Sequence, residues 1–166
     1  MPFTPFHLGA GAVFKAIGGS RFSFMVFGGS QVLMDIEPLV GIIQGHAILH
    51  GPSHTLLGAL VIGLVSGAIG RPASEIALRQ LKIEHHPLTW TVAFSSAFIG
   101  TFSHVGLDAV MHRDMNPLWP FAAGNGLLGI ISVGWLHMLC LISGLLGALI
   151  IGGRKYFLGS EPAKRP

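Results

Sequence analysis

His104, Asp108 and His112 recur at four-residue intervals in "SHVGLDAVMHRDMNP", residues 103–117. Residues four apart share one face of a helix. Imidazole nitrogens and carboxylate oxygens are the usual ligands of Zn²⁺, Mn²⁺ and Fe²⁺. A second histidine series, His46, His50 and His54, lies in "HAILHGPSH". Gly51-Pro52 interrupts any helix there, so these three do not form one helical face. "LMDIEP" adds Asp35 and Glu37, and "TPFHLGAG" adds His7. The chemistry within reach is divalent-metal binding, with water activation and proton transfer beside it.

The segments that carry these residues are strongly apolar. The chain of 166 residues is 51% hydrophobic and 10% charged, where a soluble domain is about a quarter charged. Mean hydropathy is +0.65. These values point to an integral membrane protein with the lipid bilayer as its first partner. The 24 glycines suit helices packed closely in lipid. The net charge of +3 comes without a basic run interleaved with aromatics, so no nucleic-acid partner is expected. Cys140, alone, excludes an internal disulfide and is expected to be buried packing. The N-terminal stretch lacks the positive region that opens a signal peptide and is expected to belong to the mature fold.

Three full spans are expected, at about Ser53–Gly70, Leu88–Met111 and Gly126–Ile151. Each approaches the roughly 20 apolar residues that a bilayer core requires. Before them, Phe6–Ile17 and Phe22–Ile43 read as a helical hairpin turning at "GGSR", with a break near Pro38. The expected fold class is therefore all-α, a polytopic membrane helical bundle of about five helices. Residues 1–158 form a single membrane domain, and 159–166 a short tail. Lys15, Arg21, Arg71, Arg79, Lys82, Arg154, Lys155, Lys164 and Arg165 fall at one end of such a bundle, and only Arg113 at the other. The positive-inside rule then puts the C-terminus in the cytoplasm and the N-terminus outside.

Counting along these helices brings distant residues to one depth. His7 and Asp35 each lie about 20 Å from the first turn at 1.5 Å per residue. His54 opens its span near the outer end, and His104 and Asp108 close theirs there. A charge deep in a membrane helix costs roughly 2.5–3.5 kcal/mol on insertion scales, so Asp35 and Asp108 need partners. A divalent cation is the simplest one. A structural His–Asp hydrogen bond between helices is the bland alternative. Glu37 reads as a ligand, a general base or an interfacial acid. His112 and Asp114 read as outer-loop ligands or solvated groups, and His46 as a solvated loop histidine. His137 reads as a packed histidine. His85 and His86 lie toward the other end. Trp90 and Trp119 read as interfacial anchors.

The ordered series "TPFHLGAG", "LMDIEP", "HGPSHTLLG" and "GTFSHVGLDAVMHRDMNPLWPF" resembles the membrane-bound metal-dependent hydrolases of bacteria and archaea. That family includes inner-membrane hydrolases described as LexA-binding. The resemblance covers Pro5 to Phe121. It implies metal ligands at His7, Asp35, His54, His104 and Asp108, with Glu37 in the place of a second aspartate. Two departures stand out. "HGPSHT" lacks the family's arginine and has one residue fewer between its histidines. His112 and Asp114 stand where many relatives have an uncharged turn.

The leading expectation is a metal-dependent hydrolase of a prokaryotic inner membrane, with zinc, manganese or iron as cofactor. Its substrate would be a phosphoester, ester or lipid-like molecule, and Glu37 or His50 its base or shuttle. The absence of a Gly-x-Ser-x-Gly elbow argues against a lipid-esterase serine nucleophile. A metal or proton carrier, and a regulatory or scaffold protein with a structural metal, are the alternatives.

Overall fold

The computed structural model describes residues 4–83, 85 and 87–159. His86, Lys164, Arg165 and most of the expected tail lie outside them. Six α-helices make five arms: α1 (Thr4–Gly18), α2 (Phe24–Met34) with α3 (Ile36–Gln44), α4 (Leu56–Gln80), α5 (Trp90–Met111) and α6 (Val133–Gly159). Among the described residues there is no strand. The all-α bundle of five arms matches the expectation.

Local chemistry sets the boundaries. Ser23, Thr55 and Thr89 cap α2, α4 and α5 by accepting from Val26, Gly58 and Val92 amides. Gly45 ends α3 in a left-handed conformation (φ 70°) that a glycine adopts without strain. The break between α2 and α3 falls at Asp35. Pro38, in the first turn of α3, has no N–H to offer the Met34 carbonyl. The chain re-forms its helix one residue further on, and Asp35 stands at the seam with its carbonyl accepting from Leu39 N (3.0 Å).

Three arms are long and apolar enough to cross a membrane: Phe24–Gln44, Leu56–Gln80 and Val133–Phe157. This redraws the expected spans. The hairpin's second arm, expected to be irregular, is a full-length span despite its seam. Helix α4 continues to Gln80 through Arg71 and Pro72, past the end expected at Gly70. Residues 73–80 are good helix formers, and a Glu75–Arg79 pair one turn apart supports them. Residues 126–132 are turns, so α6 begins at Val133, not at Gly126. Helix α5 has 22 residues and spans the expected segment. Polar residues dilute its apolar character, with Ser96, Thr101, His104 and Asp108 buried and Thr91 and Ser95 exposed, so the expected full span is not among the three arms apolar enough to cross.

The packing is inside-out relative to a soluble protein. Many buried positions are small or polar (Ala59, Ala93, Ala97, Ala109, Ser30, Ser96, Thr101), beside a few large apolar ones such as Phe27, Met34 and Met115. Large apolar side chains such as Leu64, Leu145 and Leu149 face outward, 49–63% exposed. That is the surface lipid chains cover. Helix α5 packs on α2 and α4, and α1 packs on α2 and α6. Glycines set the closest approaches. A methyl at Gly9 would overlap the Cys140 carbonyl, and one at Gly147 the Ala12 backbone.

At the end away from the histidines, α4 grips the chain that enters α5. Arg71 donates to the Leu88 carbonyl (2.6 Å) and lies 4.4 Å over the Trp90 ring. Glu75 accepts from the Leu88 amide and stands 3.1 Å from His85 Nε2. The Ile83 carbonyl and then Glu75 raise the pKa of His85 above its ordinary value. Its tie to Glu75 is therefore complete below the ordinary histidine range and is lost as pH rises through the raised value. In Glu75→Gln, His85 should titrate closer to an ordinary histidine by NMR. An unchanged titration would remove Glu75 as a cause.

Candidate metal centre

Four elements meet at the other end of the bundle. Helix α1 supplies His7, the seam after α2 supplies Asp35, the 3-10 turn Pro52–His54 supplies His54, and α5 supplies His104 and Asp108. The convergence counted along the sequence is thus realised. His54 and His104 are fully buried, and His7, Asp35 and Asp108 are 2–8% exposed.

One atom from each of four residues defines the centre. From His104 Nε2 it is 3.1 Å to Asp108 Oδ2, 3.3 Å to His54 Nε2 and 3.4 Å to Asp35 Oδ1. From His54 Nε2 to Asp108 Oδ2 it is 3.5 Å. All four atoms lie within 4.8 Å of one another. A tetrahedral zinc with bonds of 2.0–2.1 Å has ligand–ligand edges of about 3.3–3.4 Å. The observed spacings scatter around that edge.

Hydrogen bonds behind the histidines fix which nitrogen faces the centre. His104 Nδ1 is 2.6 Å from Gln31 Oε1. Gln31 Nε2 donates to the Gly100 carbonyl (3.1 Å), which orients the amide with its oxygen toward His104. The carbonyl oxygen can only accept, so His104 Nδ1 carries a proton and Nε2 is the nitrogen turned to the centre. His54 repeats the logic. The Ser53 hydroxyl donates to Glu37 Oε2 and lies 2.8 Å from His54 Nδ1, which leaves its oxygen to accept the Nδ1 proton. Two ring nitrogens and two carboxylate oxygens then face one another. Extra protons or one cation must settle such a cluster. Outer hydrogen bonds of this kind orient metal-binding histidines.

His7 completes the wall. Its Nε2 is 3.3 Å from Asp108 Oδ1 but off the line a hydrogen bond requires, so this buried nitrogen has no hydrogen-bond partner. Its ring packs edge-on against His104.

His50 is buried and joins the periphery. Its Nδ1 lies 3.0 Å from both carboxylate oxygens of Asp114, and its backbone N–H donates to Asp114 as does that of Leu49. Burial would raise the Asp114 carboxyl, but those two amides and the His50 ring outweigh it and hold it at about 2. The clamp therefore contributes fully above the ordinary aspartate range and is lost only as pH falls through about 2. His50 stacks on His112 with centroids 3.9 Å apart. Burial, and then the charge of His50, push His112 down to about 4, so its ring is neutral at neutral pH. His112 caps α5 in extended conformation, just past the helix end.

Other expected residues fall elsewhere. Glu37 accepts from the Ser53 amide (2.9 Å) and hydroxyl, next to the centre but engaged in holding Ser53. His46 is exposed in its loop. His137 stacks on Phe6 at 4.4 Å. Sequence reasoning passed over Gln31 and Ser53. The only signal for Gln31 is its position one turn before Asp35, in a segment where a polar residue is costly. Gln31→Leu is expected to weaken metal binding by about 10–100-fold, the usual loss for an outer-shell partner. Titration of the detergent-solubilised protein with a metal-competing chelator checks this, and an unaltered affinity would contradict the tautomer assignment.

Apolar spans around a buried polar centre define a multi-pass membrane protein, with a His/Asp group able to hold a metal ion. The chain belongs to the YdjM inner membrane protein family, whose model matches residues 7–160. That places it in a bacterial inner membrane. No curated protein and no solved structure gives a significant match.

Proposed function

We propose that this protein is a metal-dependent hydrolase of the inner membrane, acting on an ester or phosphoester of an amphiphilic molecule. The observation that carries this reading is the set of four ligand atoms spaced 3.1–3.5 Å along the measured edges, two of them imidazole nitrogens. A divalent cation held by Asp35, His54, His104 and Asp108 would bring the pKa of a water from 15.7 toward about 7 and polarise the scissile bond. Gln31 and Ser53 keep the two histidines in register. Glu37 has one oxygen outside its bonds to Ser53, and this carboxylate would serve as the base for that water.

Two adjoining hollows support an amphiphilic substrate. A polar one of about 170 Å³ is lined by His50, Asp114, Asn116 and Trp119. An apolar one of about 320 Å³ runs along Leu57, Val61 and Ile62 on α4. Pro52, Thr55 and Trp119 line both. A polar head fits beside His50 while its chain lies against α4. The count of basic residues supports an orientation with this end on the outer side of the membrane and the C-terminus in the cytoplasm. The carrier reading is weaker, since the His/Asp cluster sits at one end of the bundle, whereas a carrier binds near the midplane.

The test is hydrolysis in mixed micelles. Phospholipids, and phosphodiesters and esters with chromogenic leaving groups, are offered to protein stripped of metal and then reloaded. Turnover is expected with at least one class, only after reloading. Metal-loaded protein inert toward all of them would leave a structural metal and a scaffold role.

A further inference from the structure

The geometry points to a second divalent-cation site beside the first, formed by His50, His112 and the outer oxygen of Asp108. It rests on the first site only through their shared Asp108. One ring nitrogen each from His50 and His112 and one carboxylate oxygen of Asp108 lie within 4.8 Å of one another.

Asp108 divides its two oxygens. Oδ2 faces His54 and His104, at 3.5 and 3.1 Å. Oδ1 faces the opposite way in function, toward His7 Nε2 at 3.3 Å and His112 Nε2 at 3.9 Å. Both of those nitrogens are buried without a hydrogen-bond partner among the described residues. A separation of 3.9 Å is too long for a hydrogen bond. It suits two ligands of one ion, since bonds of 2.0–2.2 Å allow ligands up to about 4.2 Å apart.

His50 is prepared for the same task. Asp114 engages its Nδ1, with both oxygens at 3.0 Å, and leaves Nε2 to offer. A carboxylate behind a histidine is the arrangement that orients metal-binding imidazoles and raises their basicity. Two amides hold Asp114 in turn, so the support is rigid. A carboxylate shared by two ions is how paired-metal hydrolases hold them roughly 3.5–4 Å apart. The second ion would sit on the side of the polar hollow, which His50 and Asp114 line.

The test uses the full-length protein in detergent, stripped and reloaded with Mn²⁺. Wild type is expected to hold two equivalents and give an exchange-coupled electron paramagnetic resonance spectrum. His112→Asn and, separately, His50→Gln should hold one equivalent with the six-line spectrum of an isolated ion. A wild type with one equivalent and the six-line spectrum overturns the second site and leaves the first intact. A wild type that binds no metal overturns both. If either variant fails to fold, calorimetric titration of wild type alone decides, with two binding steps expected and a single step contrary to the proposal.

Discussion

Asp108→Asn should strip the protein of its metal and abolish any hydrolysis that depends on it. The substitution keeps the shape of the side chain and removes its charge. Asp108 is shared by three histidines of the centre, with His7, His54 and His104 all within 3.5 Å of its oxygens. An outer-shell partner alone is worth about 10–100-fold in affinity, so loss of a direct anionic ligand should exceed a hundredfold. Stability provides a second readout. A ligand present at a hundred times its Kd adds about 2.7 kcal/mol to the folded state. For a chain of this length that corresponds to roughly 5–11 °C in Tm. Chelation should lower the Tm of wild type by that order and leave Asp108→Asn nearly unmoved. An equal response of the two proteins would show that the metal, if any, binds elsewhere.

Gly9→Leu should be the most damaging change outside the centre. Helices α1 and α6 meet backbone to backbone, with Gly9 against Cys140 and Gly147 against Ala12. A side chain at position 9 has no room, because the obstacle is a carbonyl group and not a movable rotamer. Overpacking typically costs about 1–3 kcal/mol, and a rigid obstacle argues for the upper part of that range. In Tm this is roughly 5–10 °C. Since α1 also carries His7, the same variant should bind metal more weakly. A melting temperature within a degree or so of wild type would mean that the α1–α6 seam is not as close as described.

Much of this architecture was legible in the sequence, for physical reasons that can be named. The period-four spacing of His104 and Asp108 survives because α5 is regular there. The depth count works because the five arms alternate, so His7, Asp35 and His54 reach the same end without any knowledge of packing. The ends of the arms were harder. Arg71 and Pro72 look like a terminus, yet the helix runs on to Gln80 despite the hydrogen bond that Pro72 removes, carried by the helix formers that follow. The apolar run at 126–132 looks like a span and is a folded loop. Asn125 Nδ2 donates to the Ala109 and His112 carbonyls, and the Gly129 amide to that of Val110. These bonds cap the end of α5. Gln31 and Ser53 were not legible as site residues, since their part depends on contacts between arms. The pairing of His50 with Asp114, 64 residues apart, is likewise visible only in three dimensions.

The central claim is that the buried histidines and aspartates hold a divalent ion. X-ray absorption on the zinc-loaded protein tests it most directly. The account predicts four nitrogen or oxygen ligands at about 2.0–2.1 Å, with the outer-shell scattering of imidazole, and loss of that signal in Asp108→Asn. Zinc that is not retained, or is bound without imidazole scattering, would contradict it.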